Sequence, residues 1–237
     1  MKGKKMISAK ILYLKTILPQ GARDLVFTAD RLVCGGWVGR DRQALQAHID
    51  ELAALGVPVP GRVPIYMNFS TYLLTTDDEI TVIGDKTSGE VEFVLLCMGQ
   101  EIWVTVGSDQ TDRDIETKSI PASKQMYAKC LAAECWPYGE VQGHWDRLIL
   151  RCWITKGRER ILYQEEPLAA LIGPRELLDE MPPEIAGRKE GLVFFSGTIP
   201  TKPGVVYGDA YDLELEDPVL QRTIRHHFKV KILPQYV

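Results

Sequence analysis

The sequence of 237 residues lacks the features that would place it in several large classes of protein. It has no run approaching the roughly 18 apolar residues that a membrane-spanning helix needs, so we expect no membrane partner. Lys and Arg total 28 against 32 Asp and Glu, a formal net charge of -4, which gives no reason to expect nucleic acid as a partner. There is no low-complexity linker and no internal repeat.

Several motifs are also missing. The five cysteines are odd in number, scattered and set in apolar sequence, which favours reduced thiols and a cytoplasmic protein. Cys130 and Cys135 are too far apart for a C-x-x-C pair, so we expect no zinc site. The stretch "CGGWVG" at residues 34–39 does not have the G-x-G-x-x-G spacing of a dinucleotide site. The basic, apolar N-terminal segment is interrupted by Lys15 and has no small-residue cleavage site, so a first strand is expected rather than a signal peptide.

Most of the sequence has the residue pattern of β-strands. A strand pair is expected over residues 7–34, and the clearest helical signal lies between Asp41, a plausible N-cap, and Gly56, which ends the helix with Pro58. Short runs of branched and aromatic residues separated by turns follow. The sequence therefore predicts a single β-rich α+β domain over residues 1–237, with N-terminal strands in 1–34 and the core in 35–237.

Two hairpins and further strands can be placed from turn residues. The stretch "EVEFVLLCMGQEIWVTVGSD" predicts two antiparallel strands joined at Gly99, and a second hairpin is expected to turn at Lys156 and Gly157. A strand running into a Gly-Thr turn is expected at "GLVFFSGTIP", and two more strands near the end of the chain. The segment "PLAALIGPRELLDEMPPE" has helical periodicity broken by prolines.

The first hairpin carries acidic residues at its open end. Glu90 and Glu92 are two apart, so on a strand their side chains point to the same face. The returning strand would bring Asp109 back towards Glu90, completing a set of three carboxylates. Hard oxygen ligands of this kind suit Mg, Mn or Ca rather than zinc. The alternative is an acidic turn that only keeps the loop solvated.

The order of these motifs resembles that of the fumarylacetoacetate hydrolase superfamily. The matching pieces are the E-x-E pair, the turn "SDQTDRD", a downstream lysine at Lys124, and the strand that ends in "FSGT". The resemblance covers about residues 35–230 and implies a β-rich mixed-sheet roll of the C-terminal-domain type of that superfamily, with few helices. The chain is still more similar to a bacterial family known only as a domain of unknown function, through pieces such as "GSDQTDRD", "HWDRL" and "LYQE".

Three departures accompany this resemblance. The stretch between Glu92 and Asp109 is shorter than is usual in the superfamily, as if a simple hairpin replaced additional structure. Asn68 stands where a lysine is common in the strand before the E-x-E pair, and Asp112 stands where the turn usually has a small residue before the arginine. These changes affect the expected substrate pocket more than the expected metal site.

The resemblance implies a role for each residue of the site. Glu90, Glu92 and Asp109 would hold Mg or Mn. Lys124 would stabilise an oxyanion. The residues expected to contact the substrate are Arg113, Glu116, Gly197 and Thr198. For Arg113 a structural salt bridge to Asp112 or Asp114 is the alternative, and for Thr198 simple turn chemistry.

His48 and Glu51 are three residues apart and therefore share one helical face. The carboxylate could orient the imidazole while the imidazole removes a proton from water. The alternative is an ordinary solvated helix surface. His226 and His227 are adjacent and would face opposite sides of a strand, so they are not expected to bind one metal together, and His144 is expected to make a buried polar bond or an interface contact.

Together these expectations favour a Mg- or Mn-dependent hydrolase that cleaves a carbon–carbon bond in an acylpyruvate-like or β-diketo acid. One alternative is a lyase on the same scaffold, meaning a 2-oxo acid decarboxylase, hydratase or dehydratase. A second alternative is a non-catalytic protein that binds a small carboxylate. The resemblance also implies a homodimer, and it leaves the natural substrate open.

Overall fold

The computed structural model describes residues 9–43, 45–46, 49–50, 61–187 and 189–236. Two mixed sheets dominate the described part of the chain. The larger sheet has its strands in the order β2-β1-β12-β9-β8-β15-β3-β4, with β11 pairing both β9 and β5. The smaller sheet has the order β14-β13-β16-β17-β6, and β7 and β10 form a short pair of their own.

The strands of the larger sheet are β1 Lys10–Leu18, β2 Gly21–Ala29, β3 Arg31–Gly36, β4 Ile65–Phe69, β5 Leu74–Thr75, β8 Val91–Met98, β9 Glu101–Asp109, β11 Lys129–Leu131, β12 Glu134–Pro137 and β15 Leu192–Phe195. Those of the smaller sheet are β6 Glu79–Val82, β13 Ile149–Lys156, β14 Glu159–Pro167, β16 Ala210–Asp217 and β17 Arg222–Ile232. The short pair consists of β7 Thr87–Ser88 and β10 Thr111–Asp112.

Helices are short in the described ranges. Residues 42–43, 45–46 and 49–50 are helical, in the region where the sequence predicts a helix. None of the helices in the parts of the chain that the structure describes is long and apolar enough to cross a membrane. The α-helices with defined bounds are Arg113–Glu116, Ile120–Gln125, Tyr138–Val141, Pro174–Glu180 and Pro183–Ala186, and the 3-10 helices are Thr71–Leu73, Gln142–Arg147 and Leu168–Ala170.

Packing on both faces of β8 explains why its residues from Phe93 to Met98 are all apolar. Phe93 and Leu95 belong to the hydrophobic cluster that also contains residues of the smaller sheet, whereas Val94 and Leu96 belong to a second cluster with the β1–β2 hairpin. Because successive side chains point to opposite faces, a strand covered on both faces needs apolar residues at every position. This strand therefore fixes Glu90 and Glu92 at the end of a rigid, fully buried element.

The strand-rich fold with few helices confirms the predicted fold class. The hairpin at Gly99 and the hairpin at Gly157 both form, and both glycines have positive φ. The expected strand pair over residues 7–34 is wrong in number, because the structure has β1, β2 and β3 there. The turn at Pro19 and Gln20 joins β1 to β2, only Asp30 separates β2 from β3, and β3 leaves the hairpin to pair with β15 and β4.

Candidate functional site

The three carboxylates that the sequence singles out lie together. In the β8–β9 hairpin Glu92 pairs with Gly107, and the Asp109 N–H donates to the Glu90 carbonyl at 3.0 Å, so the open end of the hairpin brings all three to one point. Glu90, Glu92 and Asp109 each offer an oxygen, and these oxygens lie within 4.8 Å of one another. Glu92 and Asp109 are 1% and 0% exposed, so this is not a solvated acidic turn.

Cations surround the cluster on two sides. Lys124, from the helix Ile120–Gln125, places its Nζ 2.7 Å from Glu90 Oε2 and 2.8 Å from Asp109 Oδ2. Arg113 Nη2 lies 2.9 Å from Glu90 Oε1. The predicted site residue Lys124 is thus brought into direct contact with two of the three carboxylates.

Lys129 is a member of the site that sequence reasoning missed. It is fully buried on β11, and its Nζ lies 2.8 Å from Asp109 Oδ1. The same ammonium group donates to the carbonyl oxygens of Gln110 at 2.9 Å and Tyr127 at 3.1 Å. A lysine inside the apolar stretch "YAKCLAA" was the available signal, because lysine is almost never fully buried unless it is paired.

The two glutamates differ in their electrostatics. Burial raises the pKa of Glu90, but the ion pairs with Lys124 and Arg113 outweigh it and lower this pKa to about 2. The pKa of Glu92 lies well above its ordinary value, because burial and the nearby Asp109 charge both disfavour its ionised form. Lys124 has a raised pKa despite its burial, since Asp109 and both glutamates favour the ammonium ion.

Glu92 has one satisfied and one bare oxygen. Its Oε2 accepts the Gly197 N–H at 2.8 Å, whereas its buried Oε1 has no hydrogen-bond partner among the described residues. A buried carboxylate oxygen without a partner is costly. A divalent cation would satisfy this oxygen, and the oxygens that already accept one donor keep a second lone pair. The residues present therefore fit a hard divalent cation, with Glu90, Glu92 and Asp109 to hold it.

The turn at Gly197 and Thr198 closes the site beside Glu92. Gly197 has φ +95°, and a Cβ there would lie 2.7 Å from Val38 Cγ2, so both the conformation and the space require glycine. The Thr198 hydroxyl donates to the Val91 carbonyl at 2.7 Å. Contact of this turn with a substrate stays a prediction, and in the structure the Thr198 hydroxyl proton is already engaged.

Arg113 is held by three partners. Its guanidinium donates to Glu90, to Glu116 Oε2 at 2.7 Å and to Ser88 Oγ at 2.7 Å. The alternative partners suggested by the sequence are wrong. Asp112 instead caps the helix Arg113–Glu116 by accepting the Ile115 N–H, and Asp114 pairs with Lys86. Glu116 is therefore tied to the site through Arg113, and the roles of Arg113 and Glu116 in substrate binding stay predictions.

The predicted pair His48 and Glu51 lies outside the residues that the structure describes. The three other histidines lie in described parts of the chain, outside the carboxylate cluster. His144 is half-buried and its Nε2 lies 3.0 Å from Oδ1 of the buried Asp217, whereas the alternative of an interface contact stays a prediction. His227 Nδ1 lies 2.8 Å from Asp212 Oδ1. His226, on the same strand as His227, is more buried than its neighbour.

Solved structures define the class of fold. The chain is similar to a 5-carboxymethyl-2-hydroxymuconate delta-isomerase from Mycobacterium smegmatis, with 15% identity, TM-score 0.61 and coverage of 91% of this chain and 82% of that one. It is also similar to yeast ynq8, a fumarylacetoacetate hydrolase family protein, with 16% identity, TM-score 0.61 and coverage of 88% and 95%. The expected resemblance to the fumarylacetoacetate hydrolase superfamily is thus confirmed at the level of the fold.

A third similar structure holds ligands. It is a 2-keto-3-deoxy-D-arabinonate dehydratase complexed with magnesium and 2,5-dioxopentanoate, with 13% identity, TM-score 0.63 and coverage of 92% of this chain and 79% of that one.

A match between the sequence and a known protein family shows which family the chain belongs to. Residues 35–228 match the family described as protein of unknown function (DUF2848), and the chain belongs to that family. This confirms the expected membership of a family of unknown function. No curated protein matches the chain.

Proposed function

We propose that this chain is a Mg²⁺- or Mn²⁺-dependent enzyme that acts on a small 2-oxo or β-diketo carboxylate and cleaves a carbon–carbon bond by hydrolysis. The observation that carries the proposal is the buried carboxylate cluster in which Glu92 Oε1 has no partner among the described residues. The magnesium and the dioxo acid in the similar dehydratase structure support the same kind of chemistry.

Charge balance favours an anionic substrate. When all are ionised, the three carboxylates of the cluster are matched by Arg113, Lys124 and Lys129, and Glu116 leaves one net negative charge. Binding of a divalent cation would reverse this to one net positive charge. In a buried site such a charge is costly unless it is paired, so a carboxylate-bearing ligand would be favoured.

The chain's own residues would supply the remaining functions. A bound divalent cation would polarise a chelated carbonyl and stabilise the negative charge that develops on its oxygen. Lys124 would place a second positive charge beside the same oxygen. Arg113 would orient a substrate carboxylate, exchanging Glu116 or Ser88 for it. His48, oriented by Glu51, would remove a proton from the water that attacks the distal carbonyl.

We take residues 1–237 as one catalytic domain and the assembly as a homodimer, as the superfamily resemblance implies. A cytoplasmic location is supported by the five cysteines, which are all free and buried. Analytical ultracentrifugation tests the dimer directly.

The first experiment measures thermal unfolding of metal-stripped protein with Mg²⁺ or Mn²⁺, each with and without oxalate as an enolate mimic. At a metal concentration 100 times Kd, stabilisation is about 2.7 kcal/mol, which corresponds to about 5–11 °C in Tm for a chain of this size. Oxalate should add to the shift only when metal is present. Glu92→Gln should abolish both shifts, whereas Glu101→Gln, at the far end of the same hairpin, should leave both unchanged. An unchanged melting curve of the wild type with every ligand would refute the metal site.

A second candidate function is a lyase on the same site, favoured by the dehydratase among the similar structures. His48→Ala separates the two. A hydrolase should lose turnover while metal binding persists, whereas a decarboxylase or dehydratase that does not need this activated water should keep much of its activity. Metal and oxalate binding without turnover across a panel of 2-oxo acids would instead indicate the non-catalytic binding protein.

A further inference from the structure

Gln164 is a fully buried polar residue outside the set of predicted site residues. It lies on β14 of the smaller sheet and is 0% exposed. Glutamine is mostly exposed in folded proteins, so complete burial needs a reason. Here the reason is that both the oxygen and the nitrogen of its side-chain amide are hydrogen-bonded.

The amide of Gln164 joins two segments that meet at the carboxylate cluster. Its Oε1 accepts the N–H of Val91, the residue between Glu90 and Glu92, at 3.1 Å. Its Nε2 donates to Thr198 Oγ1 at 2.8 Å and to the Ile199 carbonyl at 2.6 Å. One side chain from the smaller sheet therefore ties the strand that carries the glutamates to the turn that faces them.

The turn connects Gln164 to Glu92. The turn held by Gln164 contains Gly197, whose N–H is the donor to Glu92 Oε2. The Thr198 hydroxyl completes a closed ring of contacts by donating to the Val91 carbonyl. Consequently the position of one carboxylate depends on the spacing between β8 and the turn, and Gln164 contacts both of these segments.

The backbone supports the same arrangement. Gln164 forms an antiparallel bridge with Thr201, and the Lys202 N–H donates to the Tyr163 carbonyl at 2.8 Å. These bonds hold the chain after the turn along β14. The turn itself, three residues earlier, is bonded to β8 by the Thr198 hydroxyl and by the Ser196 N–H, which donates to the Phe93 carbonyl at 3.1 Å, and to β14 by the side chain of Gln164.

We propose that Gln164 is a positioning residue of the site, a clamp that fixes Glu92 and the Gly197–Thr198 turn in the geometry that binds the metal and the substrate carboxylate. The metal part of this inference rests on the proposed function, but the clamp itself is a statement about this chain alone. Outer contacts that orient metal ligands are worth about 10–100-fold in metal affinity.

The test uses Gln164→Met, which keeps the side-chain length and removes all three hydrogen bonds. Asp217→Asn is the matched control, because Asp217 is also fully buried and holds the turn at Val219 and Leu220 at the end of β16, two strands away from β14. Two quantities are measured on the full chain. They are hydrogen exchange of peptides covering residues 88–93 and 195–201, and the affinity for Mn²⁺ by titration calorimetry.

Gln164→Met should speed exchange in both peptides at least tenfold and weaken Mn²⁺ binding about tenfold or more. Asp217→Asn should lower Tm but leave both peptides and Mn²⁺ affinity unchanged. Unchanged exchange in Gln164→Met would overturn the clamp, as would unchanged Mn²⁺ affinity in a wild type that binds Mn²⁺. If the wild type binds no Mn²⁺, the proposed function fails and the exchange result alone decides the clamp.

A second variant covers the case in which Gln164→Met does not fold. Gln164→Glu keeps the oxygen that accepts the Val91 N–H and changes the group that donates to Thr198 and Ile199. Faster exchange in residues 195–201, with residues 88–93 unchanged, would support the clamp and locate the effect in the turn. Wild-type exchange in both peptides would overturn it.

Discussion

Replacing Lys129 by methionine tests whether the buried cluster is held by charge. The ammonium group of Lys129 is fully buried, 2.8 Å from Asp109 Oδ1, and donates to the carbonyl oxygens of Gln110 and Tyr127. Removing one partner of a buried ion pair typically costs about 3–5 kcal/mol, because the other charge remains buried. Asp109 keeps Lys124 as a second partner, so the lower end, about 3 kcal/mol, is the expected loss for Lys129→Met.

The assay is urea denaturation at neutral pH, combined with Tm. A loss of about 3 kcal/mol corresponds to a fall of about 6–12 °C for a chain of this length. In the double variant Lys129→Met with Asp109→Asn the uncompensated charge is gone, so most of the loss should be recovered relative to the sum of the single variants. Additive losses in this cycle would refute the view that Lys129 acts by neutralising Asp109.

Three further predictions concern single substitutions away from Lys129. Burial lowers the pKa of His226 to about 4, so the unfolded state binds its proton first as pH falls, and this part of the stability, up to about 3 kcal/mol, is lost between about pH 6.5 and 4. His226→Gln should flatten the dependence of the urea-unfolding free energy on pH in that window, and a slope equal to that of the wild type would contradict this. Gly197→Ala should lower Tm and weaken Mn²⁺ binding, whereas Gly204→Ala, with φ +82° and no heavy atom within 4 Å of the added Cβ, should lower Tm alone. Gln221 has φ +52°, so Gln221→Gly should raise the free energy of unfolding by up to about 1 kcal/mol, and a destabilised variant would show that the side chain makes up for the strain.

The carboxylate cluster could be predicted because every step was local. Glu90 and Glu92 share a face by the two-residue period of a strand, and the turn at Gly99 returns the next strand to the same end. In the structure Glu92 pairs with Gly107, and this register places Asp109 beside Glu90 as expected. Only the pattern of one hairpin was needed.

The partners of this cluster could not be derived in the same way. Lys129 reaches Asp109 because β11 lies antiparallel to β9 with these two residues directly opposite. That register depends on how the chain folds between them, through two short helices. Gln164 meets Val91 across 73 positions of sequence, through the packing of one sheet on another. Lysine and glutamine are mostly found at the surface of proteins, so residue type alone argues against a buried position for either residue.

The cations around the carboxylates have a consequence for how the site is assembled. Lys124 bridges Glu90 and Asp109, and Lys129 and Arg113 occupy their other oxygens, so the repulsion between these carboxylates is balanced by the chain's own charges. A site of three bare carboxylates would need the metal in order to fold, as small zinc domains do. Here the fold carries its own compensation, and the metal would satisfy Glu92 Oε1 and Asp109 Oδ1, two oxygens of the cluster that accept no hydrogen bond from the described residues. The metal-free protein should therefore be folded, with the three carboxylates already in place. Metal binding then does not have to supply the free energy of ordering the chain, which favours a higher affinity.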